Sequence, residues 1–377
     1  MGLAAFAVIL SAATPAAQAA SATRHAPVVN GIKMITPTTG WATTMHAVLH
    51  TSDGGMRWGR SLWVHGSTLN GTSSLSTLGT QWAWVAASTP RQRAVVVYRT
   101  NNGGMSWTKV ARSSASTGLE LASVGAIDFV DSSHGWLLLH GGCGAGTCSH
   151  EILRTTNGGS TWARVEWNYV SQSSGSALPT CDGVANNMEF LSRTSGWVTG
   201  MCGAATQEID VYRTGNGGRT WYLQKHMLSA LGLVSHVTYF NPGLPSPFTP
   251  DGCSILPVDI ASPASFQLLS TCNLGVFWVP TKPIRAGNQQ FGPHAIYDVL
   301  SFHNVWARVR GKLYRTTSRM TGWQVVSSHP NLGPSPQLDF VSPTVGFVAQ
   351  TMGASRILIT HDSGHTWTSL STAAETR

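Results

Sequence analysis

The sequence predicts an all-β fold, a seven-bladed β-propeller of four-stranded antiparallel blades, and three observations lead to this prediction. The composition is poor in charge and rich in Trp and Gly. A short turn motif that ends in Trp recurs along the chain, and a second motif, Gly followed by an aromatic residue, precedes most copies of the first. Together the motifs divide the chain into units of four short strands, which is the sequence signature of a propeller.

The composition excludes several other classes of protein. Only 11% of the 377 residues are charged, and 15 residues are Trp. Roughly 25% charge is typical of soluble domains, and disordered chains or coiled coils need more charge and fewer aromatics. The 40 Gly residues disfavour long helices, since each interior Gly costs about 1 kcal/mol relative to Ala. A turn-rich β protein with a large core remains.

The first repeat is a turn motif of the form T-x-[DN]-x-G-x-[TS]-W. Asp or Asn followed by Gly is a strong signal for a tight turn between strands, and the closing Trp can bury its ring beside the turn. The clear copies begin at Thr51, Thr100, Thr155, Thr214 and Thr360, and a degenerate copy begins at Thr316. We expect the acidic and amide side chains of the motif to shape these turns: Asp53, Asn102, Asn157, Asn216 and Asp362.

The second repeat is an apolar strand, a Ser/Thr/Pro turn and then Gly-Trp or Gly-Phe, as in Ile127 to Trp136. Each unit therefore has four strands, a to d, with the turn motif between c and d. The interval from Trp221 to Trp323 is about twice as long as the others, so it holds two units. We expect one domain over residues 30–372, with blades at approximately residues 30–62, 70–112, 124–166, 184–226, 252–292, 295–328 and 336–370.

The fifth unit lacks a well-placed turn motif. We place its four strands near Ser254–Ala261, Ser265–Cys272, Val276–Thr281 and Asn288–Phe291. The segment Thr271–Trp278 also fits the motif, but a turn there would interrupt the expected strand b.

These motifs resemble known repeat families. The turn motif resembles the Asp-box, or BNR, repeat of the sialidase-like propellers. Its pairing with the motif F-x-[DS]-x-x-x-G-W resembles the seven-bladed photosystem II assembly and stability factor family, over residues 30–370. The resemblance implies a propeller, with the turn on the outer edge of each blade, and a scaffold role without catalysis. It does not imply a photosynthetic host.

One position of strand a is acidic in most units. Counting back from the strand-b aromatics gives Lys33 and Ser74 in the first two units, and carboxylates in the rest: Asp128, Glu189, Asp259 (displaced by one residue), Asp298 and Asp339. Strand a lines the channel of a propeller, so these residues would form a partial ring. One interpretation is a cation-binding or acid–base layer. The other, which the repetition favours, is that each carboxylate binds backbone N–H groups or a Trp of the next blade.

Six Cys residues without CxxC spacing indicate disulfides and disfavour a zinc site. The repeat alignment favours, among the possible connectivities, the pairs Cys143–Cys148, Cys181–Cys202 and Cys253–Cys272, all on the face that bears the d–a and b–c loops. The two longest loops, 166–184 and 225–252, emerge on that face too. Their aromatic residues either contact a glycan or protein or pack the loops down: Trp167, Tyr169, Tyr239, Phe240 and Phe248.

An Asp-box glycoside hydrolase, sialidase-like or glucanase-like, is the alternative function. Sialidases carry an Arg-Ile-Pro motif, three substrate-binding Arg residues and a Tyr–Glu pair. This chain has no Arg-Ile-Pro motif, and its strand-c Arg residues repeat one position, where they either cap turn carbonyls or form a positive patch: Arg99, Arg154, Arg213 and Arg315. We assign no catalytic residue and, because no His spacing fits a metal motif, expect no metal or cofactor.

Residues 1–19 are expected to be a secretory signal peptide, because the apolar stretch from Leu3 to Ala13 is followed by the small-residue site Ala17-Gln18-Ala19. No other segment is apolar enough to span a membrane. The net charge of +8 forms no basic stripe, which disfavours nucleic acid and suits anionic envelope polymers. We predict a secreted or wall-associated monomer, a non-catalytic scaffold that contacts a protein or an envelope polysaccharide.

Overall fold

The computed structural model shows seven four-stranded antiparallel sheets arranged as the blades of a ring. It describes residues 28–89, 93–114, 123–144, 147–169, 178, 187–201, 209–224, 240–261, 264–287, 295–317, 322–328, 332–333, 336–350, 356–370 and 374–375. The regular structure of these residues is thirty strands and a short 3-10 turn at Gly71–Ser74. None of their helical segments is long and apolar enough to cross a membrane. The expected signal peptide lies outside the described residues.

The first three blades follow the chain in order, each as an antiparallel meander. Blade one contains β1 (Val29–Met34), β2 (Gly40–Thr44), β3 (Ala47–Thr51) and β4 (Trp58–Trp63). Blade two contains β5 (Leu75–Leu78), β6 (Trp82–Thr89), β7 (Ala94–Thr100) and β8 (Thr108–Ser114). Blade three contains β9 (Ser123–Phe129), β10 (Gly135–Gly144), β11 (Thr147–Thr155) and β12 (Ala163–Asn168).

The last four blades continue the same pattern. Blade four contains β13 (Asn187–Phe190), β14 (Gly196–Met201), β15 (Ile209–Thr214) and β16 (Tyr222–Leu223). Blade five contains β17 (Phe240–Pro242), β18 (Ser254–Ala261), β19 (Ala264–Thr271), β20 (Val279–Pro280) and β21 (Ile284–Gly287), the last two both paired with β19. Blade six contains β22 (Ile296–Ser301), β23 (Asn304–Val309), β24 (Lys312–Thr316) and β25 (Gln324–Ser327). Blade seven contains β26 (Pro336–Phe340), β27 (Gly346–Gln350), β28 (Arg356–Thr360) and β29 (Thr368–Leu370).

The ring closes between blades seven and one. The first strands of consecutive blades approach one another, as β9 does with β13 and β26 with β1, which places them around the central channel. At the closure, the N–H of Ile32 donates to Oε1 of Gln337 at 2.9 Å, and the N–H of Met34 donates to the carboxylate of Asp339. A short strand, β30 (Ala374–Glu375), pairs in parallel with β4, so the end of the chain also joins blade one.

The hydrophobic core is divided into seven clusters, one between each pair of consecutive blades. Successive side chains of a strand point to opposite faces, so every blade contributes to two clusters. Trp136 of blade three stacks on Phe190 of blade four at a centroid distance of 3.6 Å. Blades buried on both faces leave little room for charge, which explains the low charged fraction of the sequence.

Blade five differs from the prediction by one strand. Ser254–Ala261, expected as strand a, is the second strand, and β19 is the third strand. The segment Thr271–Trp278, which conflicts with the predicted strand b, forms the repeated turn: Thr271 Oγ1 donates to Asn273 Oδ1 at 2.7 Å. The Pro-rich segment before β18 lacks strand-like alternation, so the sequence does not indicate that Phe240–Pro242 starts the blade. The predicted strand at Asn288–Phe291 lies outside the described residues.

Candidate functional site

One position recurs in five blades on the first strands, which surround the central channel. Five residues at this position each pair with the aromatic residue on the second strand of the same blade. The charges of Asp339, Asp298 and Glu189 all raise the pKa of Lys33, and Lys33 Nζ lies 3.7 Å from Asp339 Oδ1. We call the set the channel ring: Lys33, Asp128, Glu189, Asp298 and Asp339.

Most carboxylates of the channel ring bind the backbone of the next blade. Asp128 Oδ2 accepts the N–H of Phe190 at 2.6 Å, and Asp298 Oδ2 accepts the N–H of Phe340 at 2.7 Å. Asp339 accepts the N–H of Met34 in the same way. In blade two the equivalent residue is Ser76, paired with Trp84, and not the predicted Ser74. The hydroxyl of Ser76 accepts the N–H of Phe129 at 2.9 Å, so a neutral acceptor makes the same link.

Asp259 does not belong to the channel ring. It lies on β18, the second strand of blade five, between Asn241 and Phe266. The prediction misplaced it because the strands of this blade were assigned one step too late. Its carboxylate nevertheless bridges two blades, since Oδ2 accepts the N–H of Ala295 at 3.1 Å.

Burial raises the pKa values of the ring carboxylates. The pKa of Asp128 rises to about 6, although two backbone N–H groups oppose the shift, and the pKa of Asp298 rises to about 7. The pKa of Glu189 rises to about 8, mainly through burial and then through the charge of Asp128, while Lys33 lowers it. Glu189 is the one ring carboxylate that accepts no hydrogen bond from the described part of the chain. Among the same residues, no group of three or more His, Cys, Asp or Glu side chains is arranged to hold a metal ion.

The repeated turn has one hydrogen-bonding pattern in six blades. The Thr hydroxyl donates to the Asp or Asn Oδ1 at 2.7–3.1 Å and accepts the N–H of the Gly four residues later at 2.9–3.2 Å. The same Oδ1 accepts the N–H four residues later at 2.8–3.1 Å. The side chains engaged inside their own turns are Asp53, Asn102, Asn157, Asn216, Asn273 and Asp362.

In three blades a Trp of the second strand donates a hydrogen bond to the repeated turn of the next blade. Nε1 of Trp136 on β10 donates to the carbonyl oxygen of Gly217, in the turn of blade four, at 3.0 Å. Trp84 and Trp306 make the same bond to Gly158 and Ser363, each at 3.0 Å. The sequence shows these Trp residues as a repeat, but their partners lie one blade further on and carry no distinctive side chain.

All four strand-c Arg residues lie over Trp rings, and two of them donate to turn carbonyls of the next blade. The guanidinium carbon of Arg213 lies 5.3 Å from the ring centroid of Trp197, and its Nη1 donates to the carbonyl oxygen of Leu274 at 3.0 Å. Arg154 lies over Trp136 and donates to the carbonyl oxygen of Arg193. Arg154 and Arg213 thus cap backbone carbonyls of the neighbouring blade, and both side chains are partly exposed.

The structure distributes the candidate aromatic residues over two blade interfaces. Trp167 and Tyr169 lie at the outer edge of blade three, where Arg164 covers Trp167 and the Tyr169 hydroxyl donates to Glu151 Oε2 at 3.3 Å. Tyr169 is buried. Phe248 stacks on Trp197 of blade four at 5.0 Å, the arrangement that Phe129, Phe190 and Phe340 adopt at the other interfaces. Tyr239 lies outside the described residues, and for Phe240 only the strand is described.

The disulfides do not share one face. Cys253 and Cys272 are bonded, which is the predicted pairing. They lie just before β18 and just after β19, so the bond is on the face of the repeated turns, opposite to the predicted face. The shift of one strand in blade five caused this error. Cys143 lies opposite Cys148 in the hairpin between β10 and β11, and Cys148 is disulfide-bonded. The predicted pair Cys181–Cys202 lies outside the described residues.

Several solved structures are similar to this chain. YCF48 from Cyanidioschyzon merolae has a TM-score of 0.56 at 16% identity, covering 90% of this chain and 97% of that chain. The GH74 xyloglucanase from Xanthomonas campestris has a TM-score of 0.59 at 15% identity, covering 90% of this chain but 52% of the enzyme. An oligogalacturonate lyase from Vibrio parahaemolyticus has a TM-score of 0.55 at 7% identity, covering 89% and 90%. No protein-family model and no curated protein matches the sequence. At these identities the similarity establishes a shared β-propeller fold.

Proposed function

We propose that the protein is a non-catalytic binding scaffold, secreted to the cell envelope, that contacts a partner protein there. One observation carries the proposal: the carboxylates that could have formed an acid–base layer bind backbone N–H groups of the neighbouring blade. Asp128, Asp298 and Asp339 do so in the channel, and Asp259 does so in blade five. The resemblance of the turns to Asp-box repeats, and of the paired motifs to photosystem II assembly factors, supports the same role.

The alternative is a glycoside hydrolase with Asp128 and Glu189 as its pair of carboxylates. These two groups interact across neighbouring blades, and their pKa values of about 6 and about 8 differ. A hydrolase needs one protonated and one ionised carboxyl group, which such a separation supplies. Asp128, however, already binds the Phe190 N–H, so a substrate would have to compete with the fold.

An activity assay separates the two functions. The purified protein is incubated with xyloglucan, other β-glucans, sialosides and oligogalacturonides, alongside the Asp128→Asn and Glu189→Gln variants. We expect no turnover of any substrate. Turnover by the wild type that both substitutions abolish would overturn the scaffold proposal.

Partner capture and processing supply the supporting measurements. A pull-down from envelope fractions should retain the same protein with wild type and with both carboxylate variants. Retention of polysaccharide alone would instead indicate a wall-binding module. Mass spectrometry of the exported chain should place its N-terminus after Ala19, and an unprocessed chain in the cytoplasm would contradict the localisation.

A further inference from the structure

At two positions the repeated turn of blade five carries apolar side chains where the other turns carry Gly or polar residues. Leu274 stands at a position that is Gly in blades one to four and Ser in blade seven. Phe277 replaces the Ser or Thr that bonds the Asn or Asp side chain in four other turns. Val276 lies between them. With Tyr222 these residues form what we call the blade-five patch: Tyr222, Leu274, Val276 and Phe277.

The fold does not require these side chains. The blade-five turn keeps its backbone hydrogen bonds, including that from the Phe277 N–H to Asn273 Oδ1 at 3.0 Å, and this bond needs no particular side chain at residue 277. Leu274 has a φ of 59°, a left-handed conformation that Gly adopts at the same position in blades one to four. The four side chains of the patch are between 50% and 67% exposed. Apolar side chains that are exposed and strained indicate a contact surface rather than a core.

Tyr222 of blade four extends the patch across the blade boundary. It pairs in register with Arg213, so the two side chains lie on the same face of blade four. Arg213 donates to the carbonyl oxygen of Leu274 in the turn of blade five. The patch is therefore one surface built from two blades on the face of the repeated turns.

The backbone around the patch is held in place. The Cys253–Cys272 disulfide joins the two chain segments that flank the turn, and the Leu274 N–H donates to the carbonyl oxygen of Gly252 at 3.1 Å. A surface that is already ordered loses less entropy when a partner binds.

The charges beside the patch are mainly positive. Arg213 contacts it directly, and Arg219 is exposed in the adjoining turn of blade four. Asp251 is the one exposed acid in the neighbouring turn of blade five. A ligand with carboxylates around an apolar centre complements this arrangement.

We propose that the blade-five patch binds a segment of a partner protein that presents apolar side chains flanked by carboxylates. The inference rests on the proposed scaffold function and names its contact surface. Two proline residues, Pro280 and Pro283, interrupt the outer edge of blade five, so the segment binds through its side chains and not by adding a strand.

A peptide selection tests this proposal. A random peptide library displayed on phage is selected on the whole protein, and enriched peptides are assayed by fluorescence anisotropy. We expect them to combine apolar and acidic residues and to bind the double variant Leu274→Gly, Phe277→Thr at least about tenfold more weakly, because buried apolar anchors dominate such contacts. The double variant has the turn sequence of the other blades, so it should unfold at a temperature no lower than the wild type.

Met105→Ser is the matched control, since Met105 is an exposed apolar residue in the turn of blade two. It should leave peptide binding unchanged. The proposal is overturned if no peptide is enriched, if enriched peptides are basic, or if they bind the double variant as well as the wild type. It is also overturned if the patch mediates self-association in sedimentation, or retention on phosphatidylcholine–phosphatidylglycerol vesicles. None of these outcomes depends on glycan turnover, so the two proposals fail separately.

Discussion

Leu274 departs from the repeated turn sequence, and substituting this single residue tests whether its side chain contributes to folding or to binding. The left-handed conformation costs a non-glycine residue roughly 1–2 kcal/mol, and a Gly at this position would remove that strain. Gly also loses about 0.5–1 kcal/mol more backbone entropy on folding, which offsets part of the gain. Leu274→Gly should therefore raise the free energy of unfolding by about 0.5–1 kcal/mol, measured by urea denaturation.

Gly217→Leu at the same position of blade four is the reciprocal variant. Gly217 has a φ of 74°, and a Cβ atom there would lie 2.8 Å from the carbonyl oxygen of Arg193. This variant should lose stability. A destabilising effect of Leu274→Gly would mean that the leucine is part of the core.

Glu189 makes stability depend on pH. Burial raises its pKa from 4.5 to about 8 in the folded chain, so the folded state holds the proton more tightly than the unfolded state. The stabilisation is complete below the unfolded pKa and is lost as pH rises through the folded pKa. Between pH 5 and pH 8 the wild type should lose at least about 1.4 kcal/mol more stability than Glu189→Gln, the equivalent of one pKa unit.

Urea unfolding at both pH values measures this difference. Asp251→Asn changes a carboxylate at an exposed turn and serves as the control for the loss of one charge. Equal pH dependence of wild type and Glu189→Gln would show that the channel is wetter than its packing indicates.

At the scale of the element, the hydrogen bond from a second-strand Trp to the next turn fastens adjacent blades. Trp136→Phe removes the bond to Gly217 O and leaves that carbonyl without this donor. Trp197 occupies the same position in blade four, but its Nε1 has no partner among the described residues. Trp136→Phe should cost about 1–2 kcal/mol more than Trp197→Phe in thermal or urea unfolding. If the two variants lost similar amounts of stability, the loss would come from the smaller volume of the Phe ring and not from the hydrogen bond.

In blade five the two sequence motifs predict different strand assignments. The turn motif at Thr271–Trp278 is present in the sequence, and the Thr271–Asn273 bond identifies it. The competing prediction relied on the spacing between Gly-aromatic pairs, and blade five has Ser254-Ile255 at that place. Where the Gly-aromatic motif is degenerate, the turn motif predicts the strand order better. Its hydrogen bonds form among residues only a few positions apart, so the local sequence is enough to specify them.

At the scale of the whole molecule, the closure between blades seven and one joins segments far apart in the sequence. Asp339 accepts the N–H of Met34 and lies 3.7 Å from Lys33 Nζ. Asp339→Ala leaves a buried N–H unpaired and should cost about 1–3 kcal/mol. Hydrogen exchange should rise most in β1 and β26, because these strands lose their direct link.

Asp128→Ala removes the equivalent bond between blades three and four and is the matched control. Its effect should centre on β9 and β13. Identical exchange patterns in the two variants would contradict a local fastening role and would indicate that the ring opens as one unit.

The sequence by itself determined the number of blades and the places of most repeated turns. These follow from turn chemistry and from a regular period, and both are written in neighbouring residues. Only the tertiary structure decided which strand Asp259 occupies, which backbone group each channel carboxylate binds and which face bears the disulfide. It also showed that Leu274 and Phe277 are exposed. These features depend on contacts between neighbouring blades. In many of these contacts the partner is a backbone atom, and no pattern of side chains in the sequence indicates where a backbone atom will lie.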